Sequence, residues 1–221
     1  MDPTLFKLTT VVLGQAHNPT ILNPDFLATQ GVVPPEWRWE VAETVTTPPF
    51  ALVRYQNEVT ITVEPNKIQV TDPNTTKSGH EQNKAATIAL AYVKILPHVN
   101  YTAVGINFHA FCEKADPAEY LKNRFLRQGP WDSEAHGLDA VGFRLVYWLA
   151  EDCRTTLSID VGEVKPEQAS EAKSAILVTA NFHRKCSHRP GTEDVEKHLS
   201  QVPSDWKTYE MLVRDALETE E

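Results

Sequence analysis

The chain has 221 residues, of which 41% are hydrophobic and 23% are charged, a globular composition that excludes a wholly disordered protein. It carries 21 Lys and Arg against 30 Asp and Glu, a net charge of -9, and this excess of acid disfavours binding to nucleic-acid phosphates. No apolar run approaches the roughly 20 residues of a membrane-spanning helix, and the opening Met-Asp-Pro lacks the features of a signal peptide, so we expect a cytoplasmic protein that does not enter a membrane.

The first predicted element is a strand over residues 5 to 13, which are rich in β-branched and apolar types and stop at Gly14. The passage from 15 to 49 is rich in proline, which removes backbone donors and restricts the preceding residue. We therefore predict that this passage is ordered but irregular, with one short helix that Asn23 caps.

A meander of three strands is predicted next, over residues 50 to 55, 59 to 64 and 67 to 72. Its middle strand alternates valine and isoleucine with threonine, which is typical of a sheet that is buried on one face only. The sequence Ser78-Gly79-His80-Glu81 matches a capping box. It predicts that a helix opens there and ends before Pro97.

Further strands and helices follow, and those after residue 127 echo the order of those before it. A long strand is predicted over 99 to 111, then a helix from Asp116 to about Leu126, then strands over 141 to 149, 154 to 162 and 174 to 183. Two C-terminal helices follow, opened by Thr192 and Ser204. The last one carries a stripe that we expect to be buried, formed by Trp206, Tyr209 and Val213.

These elements predict an α+β fold in one compact domain, with a mixed, mostly antiparallel sheet, helices packed on one side and helices at the C-terminus. The likeness of the two halves suggests an internally duplicated unit of β-meander, strand and helix. Its halves would be 1–127, which includes the irregular segment 15–49, and 128–221.

One short pattern occurs twice. Asn-Phe-His-x-x-Cys is found at 107–112 and again at 181–186, and a chance match is the alternative to a true duplication. Side chains of a strand alternate between faces, so we expect Phe108 and Phe182 in the core and the flanking polar residues on the other side. If the two strands are neighbours, a polar surface site forms from Asn107, His109, Asn181 and His183.

The same repeat offers a zinc-site hypothesis, because His and Cys are zinc ligands. The four ligands would be His109, Cys112, His183 and Cys186. Positions i and i+3 of an extended strand face opposite sides, however, so each pair converges only if the chain turns directly after the histidine. We favour the alternative of hydrogen-bonded histidines and buried cysteines that act as small apolar groups.

Signatures of catalysis are scarce in the sequence. It contains no Gly-x-Ser-x-Gly, Gly-x-x-x-x-Gly-Lys, His-Glu-x-x-His, Cys-x-x-Cys or Gly-x-Gly-x-x-Gly motif. Candidate acid and base residues are Asp132, Glu134 and His136, beside Trp131 in a polar loop of a kind that commonly carries such residues. No cofactor is predicted, with zinc as the alternative.

Three classes of function compete, and we rank them in order. The first is a non-catalytic protein-binding, regulatory or assembly module of the cytoplasm, which binds a protein partner or associates with itself. The second is a metal-dependent or acid/base enzyme. The third is a nucleic-acid binder that uses a basic patch at Arg184, Lys185 and Arg189, although a solvated turn is the commoner role of such a cluster. The missing motifs and the acidic C-terminal segment favour the first class.

Overall fold

The computed structural model describes residues 1–73, 83–127, 129–131, 137–165 and 171–218. The strands are β1 (Thr4–Gln15), β2 (Val41–Thr46), β3 (Ala51–Tyr55), β4 (Thr60–Glu64), β5 (Lys67–Asp72), β6 (Asn100–Glu113), β7 (Phe143–Ala150), β8 (Cys153–Val164) and β9 (Lys173–Lys185). The helices are α1 (Pro24–Thr29), α2 (Lys84–Ile95), α3 (Pro117–Phe125), α4 (Thr192–Leu199) and α5 (Val202–Leu217). In the described segments, no helix has both the length and the apolar character needed to cross a membrane.

All nine strands belong to one sheet, in the order β2-β3-β4-β5-β1-β6-β9-β8-β7. Every pairing within it is antiparallel. The helices pack on one side of the sheet, and the last two stand at the C-terminus, which confirms the predicted α+β class.

The core lies between the sheet and these helices. Leu8, Phe108 and Phe182 are fully buried on this side of the three central strands. The ring of Phe108 packs against Trp206 and Tyr209 of α5, with centroids 5.5 Å away in both cases. The predicted burial of both phenylalanines and of the α5 stripe is therefore confirmed.

Helix α2 begins later than the capping-box pattern predicts. The side chain of Asn83 accepts a hydrogen bond from the backbone N–H of Ala86 at 3.0 Å, so Asn83 is the N-cap and the helix opens at Lys84. Residues 78 to 81 lie outside the described residues. Asparagine is as good a cap as serine, but the sequence analysis predicted only the start at Ser78.

The proline-rich passage is less irregular than predicted. It contains α1, which Asn23 caps by accepting from Phe26 N–H at 2.8 Å as expected, but it also contains strand β2. Every residue of β2 is exposed, because the strand is at the edge of the sheet. An edge strand with no buried face lacks the alternation that identifies other strands.

The strand order has an approximate twofold arrangement. In each half a long strand, β1 or β6, is followed by a meander whose last strand returns beside it, and β1 pairs with β6 in the middle. This order does not test the predicted halves 1–127 and 128–221, which stay a prediction. It equates β6 with β1 rather than with β9, so the Asn-Phe-His repeat does not mark equivalent strands, and the duplication stays a prediction.

Candidate binding face of the sheet

The side of the sheet that faces away from the helices is called the open face here. Its residues alternate with core residues along each strand, so the pairing registers identify them. The open face includes Glu43, Val45, Leu52, Arg54, Thr60, Thr62, Glu64, Lys67, Gln69, Thr71, Lys7, Thr9, Val11, Leu13, Gly105, Asn107, His109, Phe111, Leu177, Thr179, Asn181, His183, Lys185, Arg154, Thr156, Ser158, Asp160, Arg144, Val146 and Trp148.

A single row of directly opposed residues crosses all nine strands of this face. In strand order the row reads Glu43, Arg54, Thr60, Thr71, Thr9, Asn107, Asn181, Thr156 and Val146. Eight of these nine side chains are polar. The open face thus has a polar band at its middle, perpendicular to the strands.

A cavity of about 540 Å³ lies over the centre of this band. We call it the polar cavity. It is lined by Lys7, Thr9, Val11, Leu13, Gln69, Thr71, Gly105, Asn107, His109, Asn181 and His183. All four residues of the predicted polar surface site line it, because β6 and β9 are neighbours with Asn107 directly opposite Asn181.

Hydrogen bonds connect the side chains of the band across four strands. Thr71 and Thr9 join their hydroxyl oxygens at 3.2 Å. The Asn107 amide donates to the backbone carbonyl of Thr9 at 3.3 Å, and the Asn181 amide donates to the Asn107 side-chain oxygen. These bonds fix the orientation of the polar groups before any ligand arrives, which lowers the entropy cost of binding.

The two histidines of the cavity are neutral at physiological pH. Burial and, to a smaller extent, the positive charge of Lys7 together lower the pKa of His109 to about 4. Burial also lowers the pKa of His183, and the charges of Lys185 and Arg154 add to this effect. Within the described part of the chain neither ring has a hydrogen-bond partner, so both can bind a ligand.

The charge around the cavity is positive. Its lining contains Lys7 and no carboxylate, while the two histidines are neutral. Arg154 lies directly opposite His183 on the neighbouring strand, and Lys7 lies opposite His109. In the described segments neither cation has a carboxylate partner, whereas Arg54, at the far end of the polar band, is paired with Glu43 at 2.7 Å.

The floor of the cavity depends on Gly105. A Cβ atom at this position would meet the Asn181 amide nitrogen at 3.4 Å and Val11 at 3.8 Å, so a larger side chain would project into the cavity rather than into the core. Val11 and His183 lie opposite Gly105 on the two neighbouring strands. Because Gly105 has no side chain, a depression is left between these two residues.

The four zinc-ligand candidates do not come together. Cys112 is 1% exposed and belongs to the core, while His109 lines the cavity on the opposite face, as the strand period requires. Among the described residues, no group of three or more His, Cys, Asp or Glu side chains could hold a metal ion. The zinc hypothesis for this set is therefore wrong.

The cysteine thiols are poor nucleophiles. Burial raises the pKa of Cys112 to about 11 and that of Cys186 to about 12. Burial also raises the pKa of Cys153. All three are free cysteines, and protonated thiols do not attack substrates. The candidate acid and base residues Asp132, Glu134 and His136 lie outside the described residues.

The predicted basic patch of Arg184, Lys185 and Arg189 is wrong in its first residue. Arg184 is only 6% exposed and donates two hydrogen bonds, of 2.7 and 2.6 Å, to the carboxylate of Asp205 in α5. This cation therefore fixes α5 to the sheet and cannot contact a phosphate. The turn after it is held by Asp194, whose carboxylate accepts from the backbone N–H groups of Ser187 and His188.

Several cavity residues are missed by the sequence analysis, namely Lys7, Thr9, Gln69, Thr71 and Gly105. Strand β1 was predicted, but its run Thr9-Thr10-Val11-Val12 contains equal pairs and does not reveal which face is buried. The burial of Arg184 could have been predicted from the sequence. Arg184 stands two residues after Phe182, so the strand period places both on the core side.

No protein-family model matches this sequence, and no curated protein matches it.

Proposed function

We propose that this chain is a non-catalytic protein-binding module of the cytoplasm, and that its partner lies against the open face. The observation that carries the proposal is a nine-stranded sheet whose described helices all pack on one side. A sheet of this size covered on one face only leaves a broad, regular surface available to another molecule.

The area of the open face suits a protein partner. The strands are 5 to 14 residues long. With strands about 4.8 Å apart and a rise of about 3.3 Å per residue, the part of the face within about three residues of the polar band spans about 38 by 20 Å. This surface of about 800 Å² is what one partner contributes to a standard protein interface. A small ligand would use only the polar cavity and leave most of the face unexplained.

The composition of the open face also favours a protein partner. Trp148 and Val146, at the β7 end, are 68% and 44% exposed. Exposed tryptophan is typical of the few residues that supply most of the binding energy of an interface. The polar band beside them provides the hydrogen-bond donors and acceptors that fix the orientation of a partner.

Binding is a better account of the cavity than catalysis. Its lining offers neutral histidines, amides, Lys7 and two threonines, but no carboxylate, serine or cysteine, and the Thr9 and Thr71 hydroxyls are hydrogen-bonded to each other rather than to a histidine. An acid/base or nucleophilic mechanism needs a second group that orients the histidine or attacks the substrate. Amide and imidazole groups held in a row can instead recognise a partner without reacting with it.

The proposal is tested by affinity capture from the native host with matched variants. Thr156→Glu places a carboxylate in the polar band of the open face. Met211→Glu places the same side chain on α5, at a residue that is 52% exposed on the opposite side of the molecule. We expect a specific protein to be retained by the parent and by Met211→Glu, and to be lost with Thr156→Glu.

Self-association is the other outcome of this experiment. A dimer in native mass spectrometry that dissociates with Thr156→Glu identifies the second copy as the partner. A protein retained equally by all three forms would place the interface elsewhere. A monomer that captures nothing would contradict the proposal.

A further inference from the structure

We propose that the polar cavity binds the carboxylate of a glutamate or aspartate carried by an acidic segment of the protein partner. This inference rests on the proposed function, because it names the chemistry that the open face recognises. It commits to a protein partner of negative charge and assigns the cavity as the anchor point of that partner.

The geometry of the cavity suits a single inserted side chain. Gly105 leaves a depression in the sheet between Val11 and His183. Around it stand side chains that donate hydrogen bonds, among them the Asn107 and Gln69 amides. A carboxylate accepts up to about four hydrogen bonds, so this lining can satisfy it while the chain of the partner crosses the sheet.

The unpaired cations supply the charge complementarity. Lys7 stands beside His109, and Arg154 and Lys185 stand beside His183, as the lowered histidine pKa values show. None of the three cations has a carboxylate partner in the described part of the chain. Two carboxylates of the sheet, Glu64 and Glu43, are paired with Lys67 and Arg54, and the Asp160 carboxylate accepts a hydrogen bond from the backbone N–H of Val161.

The charge of the whole chain directs an acidic partner to this place. The net charge is -9, so most of the surface repels an acidic segment. A cluster of unpaired cations on one face of an acidic protein therefore gives a single favourable orientation of approach. A basic partner would instead prefer the acidic C-terminal segment, away from the open face.

A peptide titration tests the charge requirement. Isothermal titration of the full chain with hexaglutamate and with hexaglutamine at low ionic strength should give at least about tenfold tighter binding of hexaglutamate. Lys7→Gln and Arg154→Gln should each weaken hexaglutamate binding by about tenfold, because each removes a charged donor. Lys207→Gln is the matched control, since it removes an exposed cation from α5 and should change nothing.

A pair of glycine variants tests the place of binding without any partner. Gly105→Glu puts a carboxylate into the cavity, and Gly105→Gln fills the same volume without charge. The groups that face His183 are Arg154 opposite and Lys185 on its own strand, and Lys7 faces His109. In histidine NMR titrations we expect Gly105→Glu to raise the pKa of His183, and Gly105→Gln to leave it unchanged.

The outcomes separate this inference from the proposed function. The acidic-segment assignment is overturned if hexaglutamate binds to the parent no more tightly than to Lys7→Gln and Arg154→Gln. It is also overturned if inorganic phosphate shifts the histidine NMR signals and the peptide does not. If capture still depends on Thr156 in that case, the open face remains the interface and only its chemistry is wrong. If hexaglutamate binding does not depend on Lys7 and Arg154, and capture does not depend on Thr156, both proposals are overturned.

Discussion

His17 shows how a single polar residue is held in the core. The side chain is 4% exposed and stacks on Tyr92 with ring centroids 5.9 Å apart. Its Nδ1 lies 3.4 Å from the Tyr92 hydroxyl, while its buried Nε2 has no partner among the described residues. Burial therefore lowers the pKa of His17 to about 4.

This lowered pKa predicts a loss of stability in acid. Between pH 6.5 and about 4 the unfolded chain takes up a proton at His17 and the folded chain does not, so the free energy of unfolding falls as the pH falls. The expected contribution is about 3 kcal/mol over that window. His17→Phe keeps an aromatic ring in place, and urea unfolding at pH 7 and pH 4.5 should show a flatter pH dependence.

His98→Phe is the control for this prediction, because His98 is exposed. Its unfolding free energy should follow the pH dependence of the parent. Parallel curves for the parent and His17→Phe would show that His17 does not stay neutral in the folded state.

At the scale of elements, α5 connects the C-terminus to the sheet. Trp206 is 1% exposed and lies 5.5 Å from the Phe108 ring. The Tyr209 hydroxyl donates to the Val178 carbonyl at 2.8 Å, and Asp205 holds Arg184 by two hydrogen bonds. The helix therefore combines apolar burial with a buried ion pair, and removing one partner of such a pair is costly.

Trp206→Ala should lower the free energy of unfolding by about 3 to 5 kcal/mol, because it leaves a large cavity between α5 and β6. Met211→Ala, on the exposed side of the same helix, should change it by less than about 0.5 kcal/mol. Equal denaturation midpoints for Trp206→Ala and the parent would contradict the packing of α5 on the sheet.

Most strands follow from local pattern. Apolar and polar residues alternate in β4, and apolar residues recur at every second position around Phe108 in β6. These patterns predict both the strand and the face that is buried. Edge strand β2 has no buried face, and α2 is capped by Asn83 rather than opened at the predicted capping box, so local pattern is insufficient at both places.

The candidate site depends on the pairing of distant strands. Asn107 and Asn181 could be connected in advance because their sequences repeat. Thr71 and Thr9 enter the polar band only through the registers of β5 and β1, and no local pattern encodes these registers. A site built across four strands is therefore visible from the sequence only in part.

At the scale of the whole molecule, the difference between the two faces of the sheet supports a binding role for the open face. One face carries the helices and the core, and the other carries a polar band, unpaired cations and an exposed tryptophan. The ends of the band differ, since Arg54 and Glu43 neutralise each other at one end and Trp148 is exposed at the other. We infer that a partner lies across the centre and the β7 end.

Site-specific photo-crosslinking in the native host shows directly whether a partner lies against the open face. A benzophenone amino acid is placed at Thr156 on the open face and, in a separate sample, at Met211 on α5, and the cross-linked products are identified by mass spectrometry. The account predicts a specific protein product from position 156, or a cross-linked second copy of the chain, and none from position 211. A specific product from position 211 alone would contradict it.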